Sequence, residues 1–149
     1  MLISNERIWI GIDGGTAKNV GYAEWCTCRK RFLSIDTLTA DRALEKIRSA
    51  HALRILDTVV VENPEANRPV FARPRTTARG MLKIARNVGM VQEATRQLVR
   101  RIRALGIEPR LVPPRRAGKV KGDEFRQITR WTARTSQHGR DAAMLVFGK

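Results

Sequence analysis

Ile8, Trp9, Ile10 and Ile12 make an almost unbroken run of β-forming residues that halts at Asp13-Gly14-Gly15. Such a run predicts a buried strand, and the two glycines, free to take positive φ, predict a turn where it stops. The acid between them has two readings. It is a turn-forming aspartate, or it is a metal ligand set at the edge of the core, where an unpartnered carboxylate is rarely placed.

A second run raises the weight of the ligand reading. Asp57 to Glu62 reads DTVVVE, and three consecutive valines without polar alternation predict a strand covered on both faces, as in a parallel interior position. An acid closes this strand too. Between the two runs, Val20, Tyr22 and Trp25 predict a second strand, residues 27–30 a turn, and Arg31 to Ile35 a third strand, giving a meander. Thr39 or Asp41 can then cap a helix over Arg42 to Leu53, in which His51 is expected on the surface. A strand reached through that helix lies parallel to an earlier one, most simply the first. Asp13 and Glu62 would then sit together at the carboxyl ends of neighbouring strands, where open α/β sheets hold their sites.

The rest of the chain adds two basic segments and two helices. Residues 63–80 carry three prolines, Arg68, Phe71, Arg73, Arg75 and Arg79 without periodicity, which predicts a long loop. The longest helix is expected over residues 78–105, with Met81, Ile84, Val88, Val91, Leu98, Ile102 and Leu105 on one stripe. Gly89 in its interior points to close approach of another backbone, either in the core or across a dimer contact. A short strand over Glu108 to Val112 ends at Pro113-Pro114. Arg115, Arg116, Lys119 and Lys121 follow in a glycine-containing segment ahead of a helix with Phe125, Ile128 and Trp131, an arrangement suited to phosphates. The last helix opens as His138-Gly139-Arg140-Asp141, with His138 and Asp141 three apart on one face. These elements predict a single α/β domain over residues 1–149, with a five-stranded mixed sheet, an antiparallel meander plus parallel strands, flanked by helices.

Composition narrows the function classes. Among 149 residues, 29 are Lys or Arg and 14 are Asp or Glu, a formal charge of +15 that favours a polyanionic partner, nucleic acid first. No stretch approaches the roughly twenty apolar residues that span a bilayer, and MLISNER lacks the layout of a secretory signal, so a cytoplasmic protein with no membrane partner is expected. Cys26 and Cys28 cannot complete a four-ligand zinc site without further Cys or a suitably spaced His pair. No P-loop, G-x-G-x-x-G or G-x-S-x-G motif is present, so neither a nucleotide cofactor nor a serine hydrolase is expected. Acids at element ends in a basic chain instead suit metal-dependent cleavage of a phosphodiester, in which carboxylates hold two Mg²⁺ about 4 Å apart.

The acid in GIDGGTAKNVGYA, the acid in VVVEN and the late helix HGRDAAML, in that order and spacing, resemble the RuvC-type Holliday junction resolvases of the RNase H-like superfamily. The resemblance spans nearly the whole chain and implies an RNase H-like fold. It implies a Mg²⁺-dependent endonuclease, with two ions per site and Mn²⁺ able to substitute, that nicks branched DNA symmetrically as a homodimer through the helix over 78–105 and leaves 5′-phosphate ends. Carried over by position, it makes Asp13, Glu62, His138 and Asp141 the catalytic and metal-binding residues. His138 stands where many family members have an acid, which lowers the negative charge of the site. Asp36 and Asp123 are the acids to test next, although a turn or cap role fits both. Arg68, Arg73, Arg75, Arg79, Arg115, Arg116, Lys119 and Lys121 would hold DNA phosphates, and Phe71 either wedges against unstacked bases or anchors its loop.

Three other readings compete. GIDGGTAK also resembles the first phosphate-binding turn of actin-like ATPases and sugar kinases, but those folds need two such domains around the nucleotide. A different RNase H-like nuclease would use the same acids on structured RNA. A non-catalytic basic nucleic-acid-binding module would use them only as caps and turns.

Overall fold

The computed structural model describes residues 5–66, 76–115 and 117–149. Three strands, β1 (Ile8–Thr16), β2 (Asn19–Cys26) and β3 (Arg31–Leu38), form the antiparallel meander. Helix α1 (Ala40–Ala52) leads to β4 (Leu56–Glu62), which lies parallel to β1, and α2 (Ala78–Ala104) leads to β5 (Arg110–Val112), parallel to β4. Helices α3 (Gly122–Thr129) and α4 (Gln137–Val146) close the chain. The sheet order is β3-β2-β1-β4-β5, a five-stranded mixed sheet with the antiparallel meander and parallel strands expected from the sequence.

Each face of the sheet is buried under helices, which explains the valine run. Val59 and Val61 face a core shared with Ile8, Ile10 and Ile12, with Ala43, Leu44 and Ile47 of α1, and with Leu98, Val99 and Ile102 of α2. Val60 faces the opposite core with Ala23, Trp25, Phe32, Phe125, and Ala142, Ala143 and Val146 of α4. With no solvent on either side, strand alternation sorts apolar residues between two cores rather than between core and water. Thr39 caps α1 by accepting from the Arg42 amide, as one of the two candidate caps was expected to do.

Three local expectations are corrected. First, β1 does not stop at the glycines but runs through them to Thr16, with an irregularity in its pairing between Asp13 and Thr16, and the turn falls at Ala17-Lys18. Gly14 and Gly15 are required by crowding instead. A Cβ on Gly14 would lie 2.3 Å from Thr95 Oγ1, and one on Gly15 would lie 2.2 Å from the Asn19 carbonyl oxygen. Second, Gly89 admits no close neighbour within the described chain: a Cβ there would meet nothing within 4 Å. No residue of α2 before Thr95 is fully buried, and Leu82 and Met90 are 55% and 61% exposed, so only the second half of the helix packs on the sheet. Third, Trp131 lies beyond α3, which ends at Thr129 and turns at Arg130 in the left-handed conformation.

Helix α4 packs unusually close to the sheet. A Cβ on Gly11 would stand 2.2 Å from the Ala142 carbonyl oxygen, and one on Gly21 would stand 2.0 Å from that of His138. The obstacles are backbone atoms, which cannot rotate away. Gly11→Ala is therefore expected to destabilise the fold by about 1–3 kcal/mol. Gly89→Ala, which meets nothing and removes glycine's entropic cost in a helix, is expected to stabilise the chain by up to about 1 kcal/mol. Urea unfolding of both variants checks the pair, and a neutral Gly11→Ala would mean that α4 does not bear on the sheet.

Candidate active site

Asp13 lies on β1 one residue beyond Ile12, and Glu62 lies on β4 one residue beyond Val61, and Ile12 and Val61 are register partners. Strand alternation turns Asp13 to the same face as Gly11, and Glu62 to the same face as Val60, which is the face that α4 covers. The first turn of α4 then delivers His138 and Asp141. Ser136 caps this helix by accepting from the Gly139 amide, which fixes where the turn begins. Because the glycine at position 21 lets the backbone of His138 settle against β2, the His138 ring reaches Asp13, with Nδ1 2.8 Å from Asp13 Oδ2. The four residues expected from the sequence are thus assembled at one end of the sheet.

Their electrostatics follow from burial among like charges. Asp13 is buried, and its pKa is raised above the usual carboxylate value chiefly by loss of solvent. The His138 hydrogen bond opposes that rise, and the charge of Asp141 adds to it. Glu62 is pushed from 4.5 up to about 7, first by burial, then by the charges of Asp13 and Asp141, with Lys119 pulling the other way. Asp141 is held by two partners: Gln137 Nε2 donates to Oδ1 at 2.7 Å, and Lys119 Nζ stands 3.5 Å from Oδ2.

Carboxylates that repel one another at a partly buried site supply the hard oxygen donors and the negative potential that a divalent cation requires, so the donor set fits Mg²⁺ in kind. Among the described residues, however, no three His, Cys, Asp or Glu side chains are gathered closely enough to enclose an ion. Asp13 is turned to His138, and Asp141 to Gln137 and Lys119.

The other candidates are distributed as follows. Arg79 begins α2, and Arg115, Lys119 and Lys121 are exposed, with Lys119 alone seen against a site carboxylate. Arg68, Phe71, Arg73, Arg75 and Arg116 lie outside the described residues. Asp36 is an exposed β3 residue that accepts from Ser34 Oγ at 2.7 Å, and Asp123 sits in the first turn of α3, where a carboxylate favours the helix dipole, so neither joins the site. His51 is exposed, as expected, and the Cys26 and Cys28 thiols lie 3.2 Å apart, unbridged. No described helix is long and apolar enough to cross a membrane. Sequence reading missed Gln137, although its spacing of four from Asp141 within one helix was a usable signal. It also missed Thr95, whose hydroxyl packs against Gly14.

A raised carboxylate pKa has a defined sign for stability. Charging Glu62 is harder in the fold than in the unfolded chain, so its contribution is fully present below about pH 4.5 and is lost as pH rises through about 7. Glu62→Gln removes the charge. In chelator, its melting temperature is expected to exceed that of the parent at pH 8 and to converge with it near pH 4. A difference independent of pH would contradict the burial of Glu62 among like charges.

Neither a protein-family model nor a curated protein matches this chain. Among solved structures, the chain is similar to T. thermophilus RuvC in complex with a Holliday junction substrate. The two are 19% identical over 93% of this chain and 89% of that chain, with a TM-score of 0.49.

Proposed function

We propose that this protein is a metal-dependent endonuclease that resolves four-way DNA junctions by paired, symmetric nicks, leaving 5′-phosphate ends. The observation that carries the reading is the convergence of Asp13, Glu62 and Asp141 on one end of the sheet, where burial first and then the charges of Asp13 and Asp141 raise Glu62 to about 7, within a chain of net charge +15. A basic protein that needed these acids only as caps would pair each with its abundant cations, whereas among the described residues only Asp141 has a Lys or Arg, Lys119, within ion-pair distance. The order of the acid-bearing motifs, which resembles that of RuvC-type resolvases, points to junction DNA rather than another polyanion.

In this reading Asp13, Glu62 and Asp141 would hold divalent ions, which when bound would activate a water and stabilise the leaving 3′ oxygen. His138, with Nδ1 on Asp13, orients that carboxylate and keeps a part-exposed imidazole at the site to take up a proton. The cations of Lys119, Lys121, Arg115 and Arg79 bind backbone phosphates, and Arg68, Arg73, Arg75 and Arg116 extend the same role, with Phe71 against unstacked bases. A homodimer through α2 supplies the second active site. Its half-exposed Met81, Ile84 and Val88, which share one face of the first half of the helix, support that face as the contact.

The test offers labelled four-way junction, matched linear duplex and structured RNA with Mg²⁺, Mn²⁺ or chelator. Metal-dependent paired nicks confined to the junction are expected. Asp13→Asn should lose at least about 100-fold in cutting rate while binding the junction as well or better, since a charge facing phosphate is removed. Cutting of RNA alone would move the same residues to RNA processing, and tight binding without cutting would make the protein a binding module. Val88→Glu is expected to shift the sedimentation coefficient from dimer to monomer and to convert paired nicks into single ones.

A further inference from the structure

The first turn of α4 carries two side chains that the catalytic reading does not use. Arg140 is half-buried, and its guanidinium is spent within the chain: Nε donates to the Val120 carbonyl at 3.1 Å, Nη1 to the Thr135 carbonyl at 2.8 Å and its hydroxyl at 3.1 Å, and Nη2 to Gln137 Oε1 at 3.0 Å. Four of the five donors of an arginine are thereby engaged by neutral acceptors. In a chain with so many cations the default role for an arginine near the site is a phosphate contact, and this one is committed elsewhere.

The commitment fixes the orientation of Gln137. With its amide oxygen on the guanidinium, its NH₂ group must face the other way, toward Asp141 Oδ1 at 2.7 Å, and it also reaches the Val120 carbonyl at 3.4 Å. Val120 is 4% exposed and packed in the core under α4, so the shared anchor is itself held. On either side of it stand Lys119, 3.5 Å from Asp141 Oδ2, and Lys121.

We infer that Arg140 and Gln137 form a positioning clamp that sets the Asp141 carboxylate for metal and locks the Lys119-Val120-Lys121 segment to α4. The clamp rests on the proposed nuclease reading for its purpose, and it adds two positioning residues to that site. Arg140 sets the amide, the amide sets Oδ1, and Oδ2 is left toward Lys119. A ligand carboxylate held by a neutral donor loses rotational freedom, which favours metal binding.

Gln137→Met keeps length and removes both amide functions, and Arg140→Met removes the fork. Three readouts separate the roles: thermal melting, calorimetric titration of the DNA-free protein with Mn²⁺, and junction affinity in chelator as a function of salt. For Gln137→Met the expected result is a parent-like melting temperature and junction affinity, with Mn²⁺ affinity and single-turnover cutting at limiting metal each lower by about tenfold. For Arg140→Met the same loss of Mn²⁺ affinity is expected, with the salt slope of junction binding unchanged. A slope reduced by about one would make Arg140 a phosphate contact and overturn the clamp. So would a Gln137→Met protein that binds Mn²⁺ and cuts like the parent, and that variant decides the matter even if Arg140→Met fails to fold. A parent protein that binds Mn²⁺ more tightly than Gln137→Met but cuts no junction leaves the clamp standing and removes the nuclease reading. A parent that neither binds Mn²⁺ nor cuts removes both.

Discussion

The close seating of α4 on β1 and β2 is the constraint on which the rest depends. At Gly11 and Gly21 the helix backbone comes so near the sheet that any Cβ would run into the carbonyl oxygens of Ala142 and His138. Glycine at a strand interior costs conformational entropy and leaves no side chain to pack. Here the cost is offset by burial of Ala142, Ala143 and Val146 against the sheet, and by what the proximity allows. Asp13 is the residue paired with Gly21 across the ladder, so the strand position that admits the helix is next to the acid that the helix must reach. Had either glycine carried a side chain, His138 would be lifted from Asp13 and Asp141 from the end of β4.

That seating sets up an electrostatic conflict inside a basic protein. Elsewhere acids and cations are paired at the surface, as in Arg101 with Asp41 and Arg103 with Glu108. At the end of the sheet, the charges of Asp13 and Asp141 instead act on the half-buried Glu62, with Lys119 as the nearby cation, His138 against Asp13 and the Gln137 amide donating to Asp141. Such an arrangement lowers the stability of the fold at neutral pH, a cost typical of functional sites.

The long helix shows the opposite economy. Its second half is anchored by Leu98, Val99 and Ile102, while the first half leaves its apolar residues partly or wholly in water. A helix 27 residues long has more apolar stripe than a sheet of these short strands can cover.

Much of this was legible from residue order. The valine run fixed a strand buried on both faces, the helical crossover fixed its parallel pairing with β1, and together they put Asp13 and Glu62 side by side, because a strand's pattern of burial is a local property. His138 and Asp141 were legible as one helical face for the same reason. The misreadings share a cause. Gly14-Gly15 looked like a turn, and Gly89 allowed a core contact that the described chain does not make, because a glycine announces only that a side chain is unwelcome or unneeded, and not what stands opposite. By itself the sequence determined the elements, their faces and which acids end them, through short-range periodicity and conformational preference. Only the tertiary structure decided that α4 rides on Gly11 and Gly21, that His138 bonds to Asp13, and that Arg140 turns inward, because those depend on distances between segments that are about a hundred residues or more apart or on a guanidinium choosing among several acceptors.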